Sequence, residues 1–200
     1  MNRSLNALFL ILIIIFFQTS LQAYSFNPKD FIYELVNDAI EKLSNKNLNQ
    51  DEKASFIEKI ALENVDINAL SLYTLGELRK SSDKNSIINY QQVFEKYFLK
   101  SLTSRLTDYS SSKVEVSGVD KKSTNYTIVN SKIIPNDGSP EIKIDWRIYT
   151  KNPDKPLIRD LIVEGLSLAR TQKEEFSSIL NSNNNDINIL ISKLEEFISK

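Results

Sequence analysis

The sequence predicts an α+β fold: helices first, then a twisted four-stranded antiparallel β-meander, then two closing helices. Two changes of hydrophobic period carry this reading. Apolar residues recur every three or four positions from Phe31 to Leu106, every second position across most of Val114 to Glu164, and every three or four again from Leu168 onward. Runs of helix followed by strands joined through short turns favour α+β over an alternating α/β arrangement. A chain of 200 residues, 41% hydrophobic and 26% charged, can bury one sizeable core, and 4 glycines and 5 prolines give no sign of a long flexible linker.

The chain opens with an expected export signal. Arg3 is the only charge before the unbroken apolar run Ala7 to Phe17, and a polar exit to Ala23 offers a cleavage point. The run is far shorter than the ~20 residues that span a bilayer. The expected division is therefore a signal peptide at 1–23 and one domain at 24–200, exported to a bacterial periplasm.

The first mature helix is expected from Asn27, with Pro28 at its first position and Asp30 in its first turn. Phe31, Leu35, Val36, Ala39, Ile40 and Leu43 form its stripe. Asn49 with Glu52 three residues on resembles a capping box for a second helix. Asp66 can cap a short third helix that stops at Gly76. Arg79 to Asn85 reads as a loop. A long helix follows from about Ser86 to Asp108, with Tyr90, Phe94, Tyr97, Phe98 and Leu102 on a broad apolar face.

Val114 and Val116 then start a short strand, and Asn125 to Ile134 makes a second. In the third, Ile142, Ile144, Trp146 and Ile148 alternate with Lys143, Asp145, Arg147 and Tyr149, which gives the sheet one apolar and one polar face. Leu157 to Glu164 is the fourth. At Glu164-Gly165 the strand gives way to a helix. A direct strand-to-helix turn often needs positive φ, which Gly165 supplies cheaply, and Ser167 can cap the helix that follows. Asn181 to Asn188 reads as the turn into the last helix.

The absent residues bound the chemistry. With no histidine, a Ser-His-Asp triad, a Cys-His pair and histidine metal sites are excluded. With no cysteine there is no disulfide, thiol nucleophile or lipidated cysteine. Ser167 in its Gly-x-Ser setting therefore has no histidine base. Asp145, Asp160 and Glu164 could be read as acid–base catalysts, but Asp145 belongs to the polar face, and the expectation is that the protein is not an enzyme. A net charge of −1 gives no reason to expect nucleic acid binding. Helices on the apolar sheet face would enclose either a solid core or a cavity, and the pattern is the same in both cases.

Several stretches resemble the MlaC family of periplasmic phospholipid-binding proteins, which is associated with toluene tolerance and has a hopanoid-linked relative. They are VDINALSLYTLG at Val65 to Gly76, and YQQVFEKYFL at Tyr90 to Leu99 running on to Asp108-Tyr109-Ser110. Ile144-Asp145-Trp146-Arg147 and DLIVEGLSL at Asp160 to Leu168, followed by FSSIL at Phe176 to Leu180, complete the set. Together they cover roughly residues 30 to 200, in family order. Three positions depart from the pattern: Gln172-Lys173 replaces an aromatic-Arg pair, Leu102 a tyrosine, and Trp146 the tyrosine of the third strand.

The resemblance implies a nuclear-transport-factor-2-like cone with a deep apolar pocket for acyl chains. It implies a soluble, monomeric carrier between an outer-membrane lipoprotein/porin complex and an inner-membrane ABC transporter with a substrate-binding ring, maintaining outer-membrane lipid asymmetry. Phospholipid would be the cargo, with no cofactor and no metal. On that reading the expected lining is Leu72, Leu75, Tyr97, Phe98, Leu102, Ile144, Trp146, Ile148, Val163 and Leu168, with Arg170 or Lys173 near the headgroup. Two other readings stand beside it: a carrier of hopanoid or another apolar lipid, and a periplasmic interaction module with a solid core.

Overall fold

The computed structural model describes residues 24–106 and 112–200. The expected signal at 1–23 and the helix exit at Asp108-Tyr109-Ser110 lie outside them.

Helix α1 (Pro28–Ser44) starts where the Asn27 side chain accepts the N–H groups of Lys29 and Asp30. Helix α2 (Gln50–Asn64) has the full capping box between Asn49 and Glu52, each side chain accepting the other's backbone N–H. Helix α3 (Ile67–Thr74) is capped by Asp66 through the Ala69 N–H, and the chain leaves it through Gly76 at φ 63°. A short helix, α4 (Leu78–Ser81), overlaps the segment expected as a loop, and the long helix α5 (Lys84–Leu106) begins earlier than the sequence suggested. The reason is local. The Asp83 carboxylate accepts the Asn85 and Ser86 N–H groups and the Ser86 hydroxyl, and so nucleates the first turn.

Five strands form one antiparallel sheet in sequence order: β1 (Ser112–Lys121), β2 (Tyr126–Pro135), β3 (Ile142–Tyr149), β4 (Leu157–Val163) and β5 (Leu166–Ser167). The sequence suggested four strands. β5 has only two residues, too few to display a period. It folds back on β4 through a two-residue turn with Glu164 at φ 47° and Gly165 at φ 83°, the type I′ geometry that matches strand twist. Helices α6 (Leu168–Asn181) and α7 (Ile187–Ser199) close the chain. Asn184 and Asn185, both at positive φ, lie in the turn between them.

One irregularity decides which β4 side chains point inward. Arg147 faces Asp160 but Ile148 faces Ile158, so Arg159 is an extra residue on β4. This bulge lets Ile158 share a face with Leu161 and Val163, an impossible set at strict period two. It also releases Arg159 to engage helix α3.

The buried residues form two clusters. In the first, α1 supplies Phe31, Ile32, Leu35 and Val36 against Val114, Val129, Ile133, Trp146, Ile148 and Ile158 of the sheet. In the second, Ile67 and Leu75 join Tyr90, Val93 and Phe94 of α5, with Phe176 and Leu180 of α6 and Ile187, Leu190, Ile191 and Leu194 of α7. Val65 packs against both. Helix α1 lies against β1 and β2, while α3 and α6 adjoin β4 towards the other edge. No helix among the described residues is long and apolar enough to cross a membrane.

Candidate functional site

The inner sheet face is set by register. Val129 faces Trp146, which faces Leu161; Ser131 faces Ile144, which faces Val163; and Val163 faces Leu166 on β5. Directly opposed residues of an antiparallel ladder share a face. In the row through Trp146, Val129 and Trp146 are buried and Leu161 is half-buried. Trp146 is 8% exposed, and its indole N–H donates to the buried Ser131 hydroxyl at 2.8 Å. That hydroxyl in turn donates to the Ile144 carbonyl at 3.2 Å. The next row opens outward. Ile144 and Val163 are half-buried, and Leu166 is 69% exposed. An apolar strip thus runs across β3, β4 and β5 from the covered interior to solvent.

The expected lining residues do not meet in one place. Ile144, Trp146 and Ile148 belong to the sheet core, Ile144 at its half-buried margin. Leu75, Tyr97 and Phe98 belong to the helical core, Leu75 with only 2% exposure. There Phe94 stacks on Phe98 at 6.2 Å and meets Phe176 edge-on at 6.2 Å. Leu72, Leu102 and Val163 are half-buried and belong to neither cluster. Leu168, expected to line the same apolar interior as Val163, is 43% exposed on the first turn of α6, and the residue paired with Val163 is Leu166. The physical reason is the missed strand: β5 puts Leu166 in the position opposite Val163, and Leu168, the first residue of the helix that Ser167 caps, turns out to solvent.

The aromatic pattern on α5 thus packs helices together. The Tyr97 hydroxyl donates to Gln172 Oε1 at 3.1 Å, so one of the atypical residues bonds directly to this aromatic group. Burial pushes the Tyr97 phenol above its ordinary pKa, with the nearby Glu175 charge adding to it. The Tyr90 and Thr74 hydroxyls share a fully buried hydrogen bond of 2.8 Å.

Two polar assemblies hold the sheet to the helices. Arg159 Nε donates to Asp66 Oδ2 at 2.8 Å and Nη2 lies 2.7 Å from the same oxygen. Nη1 donates to the Tyr126 hydroxyl at 2.8 Å, and the guanidinium lies 3.5 Å from the Tyr149 ring centre. Partial burial disfavours the Arg159 charge, but these bonds more than offset it and raise the group's pKa. At the strand-to-helix junction, Asp160 is 6% exposed. It accepts the Ser167 hydroxyl at 2.7 Å and the Ala169 N–H at 3.0 Å, while Arg147 Nη1 lies 3.6 Å away. The Ser167 hydroxyl accepts the Arg170 N–H at 3.1 Å, and so caps α6. Asp160, flagged from sequence only as a catalyst to be weighed, is a buried anchor. The signal available was its place three residues ahead of an apolar strand end and seven ahead of a cap.

Arg170 and Lys173 line an open groove of about 640 Å3 together with Tyr73, Glu174, Ser177 and Asn181. The Lys173 ammonium lies 5.2 Å from the Tyr73 ring centre. This groove lies on α3 and α6, whereas the apolar strip lies on the sheet. Among the described residues no group of acidic, histidine or cysteine side chains could hold a metal ion.

A family model described as MlaC protein matches residues 33–196. The fold is similar to a phospholipid-binding protein from Ralstonia solanacearum whose structure was solved in complex with a phospholipid. The TM-score is 0.70 at 16% sequence identity, covering 84% of this chain and 94% of the other. Comparison with curated proteins gives no match.

Proposed function

The chain belongs to the MlaC protein family, and from that premise we propose that it is a periplasmic phospholipid carrier. It would shuttle lipid between an outer-membrane lipoprotein/porin complex and the substrate-binding ring of an inner-membrane ABC transporter, and so maintain outer-membrane lipid asymmetry. The family match over most of the chain carries the proposal. The apolar strip through Ile144 and Val163 gives acyl chains a place beside the sheet, and binding needs no catalyst or cofactor. Export by a cleaved signal at 1–23 belongs to the same proposal.

The energetics suit a shuttle. Each methylene removed from water is worth ~0.8 kcal/mol, so two acyl chains in water would favour binding beyond any practical affinity. A bilayer buries the same chains, and the terms largely cancel. The carrier then needs only rough parity with the membrane assemblies on either side, and those partners set the direction of net transfer.

Mass spectrometry of organic extracts from the purified protein, with uptake from phospholipid vesicles, tests this reading. Diacyl phospholipid in the extract supports it. A hopanoid would move the cargo to the polycyclic class. Clean protein that also takes up nothing would leave only a non-carrier module. The informative variant is Ile144→Glu, at the half-buried margin, which should lower lipid loading in a folded protein. Trp146→Glu would bury an unpaired charge and leave the Ser131 hydroxyl without its donor, so misfolding would mask any effect on lipid.

A further inference from the structure

We propose that Leu166, at the tip of the β4–β5 hairpin, is the outermost rung of the acyl-chain path, over which a phospholipid chain slides between a bilayer and the interior. This deepens the carrier reading and rests on it. A lone exposed leucine is ordinary on a protein surface. Register distinguishes this one. Leu166 stands directly opposite Val163, and Val163 directly opposite Ile144, so three apolar side chains on adjacent strands form one row. Exposure rises along that row, from half-buried at Ile144 and Val163 to 69% at Leu166.

The turn beyond is built to hold this rung still. The type I′ geometry at Glu164-Gly165 fixes the hairpin. The Glu164 N–H donates to the Lys143 carbonyl at 3.0 Å, and the Glu164 carboxylate accepts the Lys143 N–H at 2.6 Å. On the following side, Ser167 and Asp160 lock the start of α6. A fixed tip that presents a leucine outward, at the solvent end of an apolar row, suits the passage of an acyl chain from a lipid surface. The occupant proposed is therefore the acyl chain in transit.

A residue touched only in transit should alter rates and leave the final state alone. The test is uptake of a pyrene-labelled phospholipid from phosphatidylethanolamine/phosphatidylglycerol vesicles by wild-type protein, Leu166→Asp, Leu166→Met and Leu62→Asp. Leu62 is a 50%-exposed leucine on α2, outside the row. Leu166→Asp should slow uptake about tenfold, the scale of losing one buried leucine's apolar contact, with unchanged final loading and an unchanged melting curve. Leu166→Met should keep the wild-type rate, as should Leu62→Asp. Uptake by Leu166→Asp at the wild-type rate would overturn the proposal and leave the exposed leucine to a protein partner. Equal slowing by Leu62→Asp would also overturn it, since any exposed apolar side chain would then serve. Wild-type protein that takes up no lipid would sink the carrier reading and this path together.

Discussion

Asp66 and Arg159 offer a quantitative test of how the helices are fastened to the sheet. Asp66 does two things: it receives two guanidinium nitrogens of Arg159 and it caps α3 through the Ala69 N–H at 3.1 Å. The pair is partly buried, with side chains 24% and 17% exposed, so its worth lies between a solvent-screened surface pair and a fully desolvated one. A charge-assisted bond of this kind contributes about 2 kcal/mol, and the cap about 1 kcal/mol more. Asp66→Ala should then cost about 3 kcal/mol, seen as a fall in melting temperature of roughly 6–12 °C for a chain of this size. Arg159→Met keeps the cap but loses the ion pair and the stacking on Tyr149. In a double-mutant cycle followed by urea denaturation, the two single changes should be non-additive by about 2 kcal/mol. A coupling below about 0.5 kcal/mol would refute the reasoning. The pair would then be worth no more than a surface ion pair, and the Val65 bridge to Ile158 and the Asp160 anchor would hold the layers.

Two further perturbations isolate single causes. At Gly165 a Cβ would meet nothing within 4 Å, so Gly165→Ala tests backbone conformation alone; holding alanine at φ 83° should cost about 1–2 kcal/mol in urea denaturation. Asp83 is held below its ordinary carboxylate pKa by the Ser86 hydroxyl and the Ser86 and Asn85 N–H groups. Its stabilising contribution is therefore fully present above the unfolded carboxylate value and lost as pH falls through the lower folded one. An acid titration followed by circular dichroism should show Asp83→Asn losing less stability than wild type across that window.

Where a feature depends on neighbours in sequence, the chain could be read directly. Asn49 with Glu52, Asp66 and Gly76 announced their helix ends because a cap or a positive φ involves only a few consecutive residues. Asp83 went unread because its cap sits inside a polar run with no apolar stripe to mark where the helix starts. The strands of β3 and β2 were legible from alternation. The bulge at Arg159 was not, because an extra residue in one strand is defined only against its partner. The same limit applied to the site. The stripes of α5 and β3 were both correctly apolar, but a stripe does not name what covers it. Tyr97 and Phe98 found α6 and α7, Trp146 and Ile148 joined the core beneath α1, and the expected single lining became two cores with an open strip at the edge of one.

The two cores alternate along the chain. Residues 31–36 begin the sheet core, Ile67 to Phe94 begin the helical one, Val114 to Ile158 finish the first, and Phe176 to Leu194 finish the second. No single cut yields two fragments that each keep an intact core. During synthesis from the N-terminus, helix α5 emerges before the two helices that complete its cover, and its aromatic face is closed only when Leu190, Ile191 and Leu194 arrive. The last helix is therefore the closing act of folding, and a chain shortened by that one element would leave Tyr90, Val93 and Phe94 as an open invitation to aggregate.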